Sequence, residues 1–227
     1  MSKFIKMVTP AGVAIWPSLG KANTKFNPDG VFEIKLRMDG SDPKVQTFIA
    51  QIDAAREAAL VTIRTEYEEK LAKATGSGKS SAAAALKKLG MADSPIRPFY
   101  DEDGNETGDF TIACKLKAKF TRKDGTVGQH EFVPCVDAKK QSFDPRQVGV
   151  GSGSVCRASI TTYPYVVPST MQAGVAVRLE AVQVIKLVEF GGSASSTSMF
   201  DEEDGDEISA PKAAAPVAVE EDADGDF

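Results

Sequence analysis

Long apolar runs, paired cysteines and histidines are all scarce in this sequence of 227 residues. No stretch approaches the ~20 apolar residues that a bilayer-crossing helix needs, so no membrane span is expected. The segment from Met1 to Lys6 lacks the apolar run and cleavage site of a secretory signal, which favours a cytoplasmic protein.

Metal and catalytic chemistry are also poorly supported. The three cysteines, Cys114, Cys135 and Cys156, are far apart, and His130 is the sole histidine. A zinc site needs clustered nitrogen and sulfur ligands, so reduced, mostly buried thiols are expected instead. The segment Gly78-Lys79-Ser80 departs from a phosphate loop, because a lysine stands where the first glycine belongs and a helix precedes it. We expect no enzyme, no metal and no cofactor.

The net charge of −5 conceals a strong division along the chain. Residues 200–227 carry eleven acids and one base, whereas the preceding 199 residues carry 26 bases and 21 acids. From Gly191 onward Gly, Ser, Ala and acidic residues dominate, which predicts a disordered acidic tail over 191–227.

Apolar residues alternate in several segments, a pattern typical of half-buried strands. Residues 43–74 differ, since their apolar residues recur every three or four positions behind the N-cap Asp42 and Pro43. This predicts a long helix that Gly76 to Gly78 ends, and a short second helix over 80–89. Strands are predicted at 31–37, 111–120, 130–136, 155–165 and 175–188, with a hairpin turn at 123–126. The order of elements suggests a small barrel or sandwich with a helical insertion.

One strand, Thr111 to Phe120, offers the first functional hypothesis. Its apolar face is predicted to be Ile112, Cys114, Leu116, Ala118 and Phe120, and its other face carries three lysines. Lysines on one face without an interleaved acid repel each other, and a polyanion relieves that repulsion. If the strand containing Lys35 and Arg37 is its neighbour, the same basic groove is extended. The predicted phosphate contacts are Lys35, Arg37, Lys115, Lys117, Lys119 and Arg157.

Aromatic residues add to this hypothesis. Tyr163 and Tyr165 share a strand face, and Pro164 between them indicates a sheet edge. Edge aromatics beside a basic groove suit the stacking of unpaired bases, although packing remains an alternative for either ring. Trp16 fits a stacking platform or a core anchor equally well.

Together these segments resemble the replicative single-stranded DNA-binding proteins of podovirus-type bacteriophages. The resemblance spans nearly the whole chain and rests on the order of short motifs. They are Asn27-Pro28-Asp29-Gly30-Val31, Asp42-Pro43, Pro98-Phe99-Tyr100-Asp101, Val136-Asp137-Ala138-Lys139-Lys140, the Tyr163/Tyr165 segment, Glu189-Phe190-Gly191-Gly192 and Asp224-Gly225-Asp226-Phe227.

The resemblance implies a five-stranded Greek-key OB-fold over residues 1–190, with a helical insertion near 43–90. It also implies a homodimer in the cytoplasm of the infected bacterial host, with roles in DNA replication, recombination and repair. Lys115, Tyr163 and Tyr165 match the family's DNA-contacting positions, whereas Asp29 replaces a basic residue. A phage DNA polymerase and a helicase–primase would bind the tail through Asp224, Asp226 and Phe227.

Two other functions remain open at this stage. A strand-annealing or recombination mediator would use the same site. An assembly protein with an acidic interaction tail would bind no DNA, even without residues 200–227.

Overall fold

The computed structural model describes residues 4–122 and 124–189. The predicted tail over 191–227, with Asp224, Asp226 and Phe227, lies outside the described residues. Strands dominate, and their bounds are β1 Ile5–Val8, β2 Gly12–Asn23, β3 Val31–Met38, β4 Gly90–Met91, β5 Ile96–Tyr100, β6 Glu106–Lys117, β7 Lys119–Thr121, β8 Val127–Gln129, β9 Cys135–Val136, β10 Ser142–Phe143, β11 Val155–Val167 and β12 Gln172–Lys186. The helices are α1 Pro43–Lys73 and α2 Ser77–Lys88.

Five of the strands close into a barrel in the order β11-β2-β3-β6-β12, with β12 returning to β11. The β6–β12 pair is parallel, whereas the other four pairs are antiparallel. A closed five-stranded barrel with this Greek-key connectivity is the OB-fold. The predicted fold class is therefore confirmed.

Alternation along β3 shows how the sequence forms the barrel wall. Phe32, Ile34, Leu36 and Met38 are all buried and point into the core, because side chains alternate across a strand. Their neighbours point outward. Burial of these large apolar side chains stabilises the barrel by ~1.5–3 kcal/mol each, and it fixes which face of β3 meets solvent.

Helix α1 covers part of the barrel core, as its apolar spacing predicts. Asp42 caps it by accepting a 2.8 Å hydrogen bond from the Lys44 backbone N–H, and Pro43 occupies the first turn. Phe48 and Ile52 are buried in the barrel's main apolar cluster. The predicted helix over 43–74 is confirmed to within one residue.

The junction between the helices differs from expectation. Helix α2 begins at Ser77 rather than at residue 80, and Gly76, with a φ of 57°, is its N-cap residue. Gly78 consequently lies within α2. Glycine ended α1 in our prediction because it breaks helices, but here the left-handed geometry of Gly76 turns the chain into the next helix.

Two strand predictions were wrong. Strand β6 ends at Lys117, and Phe120 lies in β7, partly exposed rather than on the inner face of the barrel. The predicted return strand over 130–136 is found only at Cys135–Val136, which form β9, whereas β8 ends before it at Gln129 and residues 130–134 belong to no strand. The Ala118 N–H donates to the Gly30 carbonyl and the His130 N–H to the Ala118 carbonyl, so the chain leaves the barrel wall as a β7–β8 ribbon.

The three thiols are free and buried, as predicted. Burial raises the pKa of Cys114, Cys135 and Cys156 to about 12 in each case, because an apolar environment disfavours the thiolate. Within residues 4–122 and 124–189, no group of three or more His, Cys, Asp or Glu side chains could hold a metal ion. Neither α1 nor α2 is apolar enough to cross a membrane.

Candidate nucleic-acid interface

Strand pairing places residues that are distant in sequence in one row on the outward-facing side of the barrel wall, where Thr161 is itself buried. Lys6 pairs with Thr161, Thr161 with Arg178, Arg178 with Lys115, and Lys115 with Glu33. Directly paired residues point to the same face of a sheet. The row therefore carries three cations from β1, β12 and β6, although only Lys115 was expected from the sequence.

A groove of about 780 Å³ lies beside this row. Among the predicted site residues, Lys115, Lys117 and Tyr163 line it together. Sequence reasoning missed Arg178, Phe120 and His130, which line the same groove. Arg178 could have been found from the alternation of β12, since its neighbours Val177 and Leu179 are apolar.

The argument from unrelieved lysine repulsion was wrong. Lys115 Nζ lies 3.0 Å from a carboxylate oxygen of Glu33 on the neighbouring strand. Lys119 lies in β7 rather than β6, and its Nζ is 3.8 Å from Asp29. The neighbouring strand β3 supplied Glu33, and the turn before it supplied Asp29; the spacing within one strand could not reveal either acid. Among the described residues, no carboxylate forms an ion pair with Lys117.

Strand β3 is the neighbour of β6, as the extended-groove hypothesis required. Lys35 pairs with Ala113 in the register and lies on the same outer face as Lys115. Arg37 is already engaged, because its Nε lies 3.5 Å from Asp109 and its guanidinium 5.1 Å from the Phe99 ring centroid. Lys35 thus extends the cationic surface more freely than Arg37 does.

The tyrosines occupy different surroundings. Tyr163 is partly exposed on β11, and the ring of Phe4, itself largely exposed, lies 6.5 Å away between centroids. The Tyr165 ring lies across Gly174, where an added Cβ would be 3.1 Å from the hydroxyl. Pro164 lies just beyond Thr162, the last residue of β11 that β1 pairs with, so the edge position is consistent with its missing N–H.

Trp16 is not a core residue. It is 80% exposed, at an irregularity of β2 between Ile15 and Ser18, and Ile15 pairs with Lys35. Its φ of 47° lies in the left-handed region, which costs a non-glycine residue ~1–2 kcal/mol. An exposed ring held in a strained conformation favours the platform alternative over the core anchor.

Arg157 is not brought to the groove. It lies on β11 six residues before Tyr163, which corresponds to ~20 Å along a strand. Its Nε donates a 3.1 Å hydrogen bond to the Thr9 carbonyl. Arg157 therefore ties β11 to the segment after β1.

Comparison with known proteins identifies this arrangement. Residues 8–187 match the family described as single-stranded DNA-binding protein, bacteriophage T7. The chain belongs to this family. The single-stranded DNA-binding protein of Escherichia phage T7 is 27% identical over 224 residues, which cover 93% of this chain and 91% of that protein.

Solved structures agree in fold. The crystal structure of the single-stranded DNA-binding protein encoded by bacteriophage T7 matches with a TM-score of 0.63 at 23% identity, covering 92% of this chain and all of that chain. The single-stranded DNA-binding protein from bacteriophage Enc34, solved in complex with single-stranded DNA, matches with a TM-score of 0.52 at 13% identity, covering 81% and 88%. Family membership confirms the predicted resemblance, and because the family is non-catalytic it confirms that the chain is not an enzyme.

Proposed function

We propose that this protein binds single-stranded DNA along the outer barrel surface, without preference for base sequence and without catalysing a reaction. The observation that carries the proposal is the groove in which Lys115, Lys117 and Arg178 meet Tyr163. Cations and an accessible aromatic ring in one groove match the two chemical components of an unpaired strand. Family membership and the DNA-bound Enc34 relative support the same conclusion.

In this proposal the cations neutralise phosphates and the rings stack bases. Lys115, Lys117 and Arg178 form the centre, where a phosphate would displace Glu33 from Lys115 and Glu180, 2.7 Å away, from Arg178. Lys35 extends the track towards Trp16. Each stacked base contributes ~1–3 kcal/mol, and stacking tolerates every base because each has a π face. Flanking contacts are assigned to Arg37, Lys119 and Tyr165, whereas Arg157 is left out because it lies away from the groove and binds the Thr9 carbonyl.

Duplex DNA suits the groove less well. In a duplex the bases are already stacked on each other, so Tyr163 and Trp16 would gain no base to stack on. The phosphate contacts would remain, and they supply only sequence-independent electrostatic affinity. We therefore propose a preference for single strands that arises from the aromatic rings.

The acidic residues 200–227 are assigned a regulatory role in the same proposal. Their eleven carboxylates would compete with phosphates for the cationic groove when DNA is absent. Once DNA displaces them, Asp224, Asp226 and Phe227 would contact a phage DNA polymerase and a helicase–primase. This role would suit replication, recombination and repair in the host cytoplasm, with the protein acting as a homodimer.

Fluorescence anisotropy of a labelled oligo(dT), titrated at several salt concentrations, tests the proposal. The full chain is compared with a chain that ends at Met199. We expect salt-sensitive binding by both forms and tighter binding by the shorter one at low salt. Equal affinities would refute the shielding role alone, whereas absence of binding by both forms would refute the DNA-binding function.

A further inference from the structure

The β7–β8 ribbon carries an aromatic pair that the barrel does not require. The ring centroids of Phe120 and His130 are 4.7 Å apart, with an interplanar angle of 31°. Phe120 is 36% exposed, so it leaves much of its surface to solvent instead of burying it. A partly exposed aromatic ring on a short ribbon is available to contact a ligand.

The Phe120 ring is held firmly in position. A Cβ added at Gly128 on the facing strand would lie 2.5 to 3.0 Å from three of its ring atoms, so the ring packs directly on the Gly128 backbone. The Arg122 guanidinium lies 5.7 Å from the ring centroid. A ring fixed in this way loses little conformational freedom when a ligand stacks on it, which favours binding.

The same ring faces the DNA groove. Phe120 and His130 line the 780 Å³ groove that Lys115, Lys117 and Tyr163 also line. Tyr163 belongs to β11 and Phe120 to β7, so two aromatic side chains reach the groove from separate elements. Lys115 and Lys117 in the same lining supply charge for phosphates.

We propose that Phe120, supported by His130, is a second base-stacking platform that receives a different base of the same strand from the one on Tyr163. The inference rests on the proposed single-stranded DNA binding and assigns a site residue to it. The exposed Arg122 side chain, whose guanidinium lies over the ring, would move aside for the base and pair with the phosphate of the stacked nucleotide. The β7–β8 ribbon thereby acts as one wall of the DNA site.

The experiment uses the full chain and a labelled oligo(dT) in anisotropy titrations. Phe120→Leu removes the ring and keeps an apolar side chain, and Tyr163→Leu does the same at the first platform. We expect each to weaken binding by about 5- to 150-fold, the range that corresponds to loss of one stacked base. Tyr100→Leu is the matched control, because Tyr100 is 52% exposed and does not line this groove. Its affinity should stay within about twofold of wild type.

A single abasic position, moved along the oligonucleotide, separates stacking from a purely structural role. In the wild type, one position for each stacking ring, Tyr163, Trp16 and Phe120, should lower the affinity when the base is missing. In Phe120→Leu one of these penalties should vanish while the others remain, and Tyr163→Leu should lose a different one. Identical abasic profiles in the wild type and Phe120→Leu would overturn the inference.

Phe120→Trp covers the case in which the leucine variant does not fold. Tryptophan should preserve the affinity, and its fluorescence should be quenched by oligo(dT) beyond the change that Trp16 gives in the wild type. Absence of that additional quenching would also overturn the inference. If the wild-type chain itself does not bind oligo(dT), the proposed single-stranded DNA-binding function is refuted, and this inference with it. Wild-type binding with an unaffected Phe120→Leu variant refutes the second platform alone.

Discussion

Breaking the ion pair between Glu33 and Lys115 is predicted to raise the affinity for DNA, although removing a salt bridge usually weakens an interaction. Glu33 lies 3.0 Å from Lys115 Nζ, in the row of outward side chains that crosses the barrel. Both side chains are well exposed, so the pair contributes no more than about 1 kcal/mol to folding. A phosphate that binds Lys115 must compete with this carboxylate.

Glu33→Gln should therefore tighten DNA binding. A phosphate on Lys115 would lie roughly 6 Å from the Glu33 carboxylate, and the repulsion between unit charges at that distance in water is about 0.7 kcal/mol. Removing it corresponds to about threefold higher affinity at low salt. If the freed lysine gains a full phosphate contact, the slope of log affinity against log salt should steepen by about 0.7.

The assay is a salt series of oligo(dT) anisotropy titrations, with Glu69→Gln as the matched control. Glu69 also forms an exposed ion pair, with Lys73 at 3.6 Å, but it lies on α1. Both variants change the net charge by one unit, so only position distinguishes them. Equal tightening by both would show a net-charge effect, and unchanged or weaker binding by Glu33→Gln would refute the placement of DNA over Lys115.

Three further predictions test the site and the core. Trp16→Ala should weaken oligo(dT) binding by about 5- to 150-fold if the exposed indole stacks a base, and it should not lower the melting temperature, since the side chain is outside the core. An unchanged affinity would remove Trp16 from the site. The three buried thiols, with pKa values raised to about 12, should resist alkylation at pH 8 in the folded protein and react after denaturation, because almost no thiolate is present until the pH approaches the pKa. Fast labelling of the native protein, followed by mass spectrometry, would contradict their burial. Ile52→Ala should lower the free energy of unfolding by about 2–5 kcal/mol, measured by urea denaturation, because Ile52 is buried in the barrel cluster. Val61→Ala, on the same helix but 63% exposed, should change it by less than about 0.5 kcal/mol.

Local patterns predicted α1 almost completely. A cap at Asp42, a proline in the first turn and a three- and four-residue apolar spacing all act within one element. The core face of β3 was equally accessible, since alternation with period two assigns each residue to one side. The end of β6 could not be predicted in this way, because the apolar alternation continues through Phe120. The backbone hydrogen bonds of Ala118 and His130 turn the chain away from the barrel before that residue.

The residues of the candidate site also fall into two groups, those that local sequence patterns predict and those that only strand pairing reveals. Lys115, Lys117 and Tyr163 stand out in the sequence because each lies on the polar or edge face of a recognisable strand. Glu33 opposite Lys115, and Arg178 beside it, depend on the register of strands whose paired residues are 82 (115 − 33) and 63 (178 − 115) positions apart in the chain. Short-range spacing carries no information about that register.

The sequence by itself determined the alternating strands, the helical insertion, the absence of a catalytic constellation and the division between a basic body and acidic residues. These follow from local periodicity, residue chemistry and charge, which need no partner in space. Only the tertiary structure decided that Lys115 is paired with Glu33, that Trp16 is exposed and that Phe120 faces the groove. Each of these depends on how strands pair and where that pairing is interrupted, which the spacing within one segment does not determine.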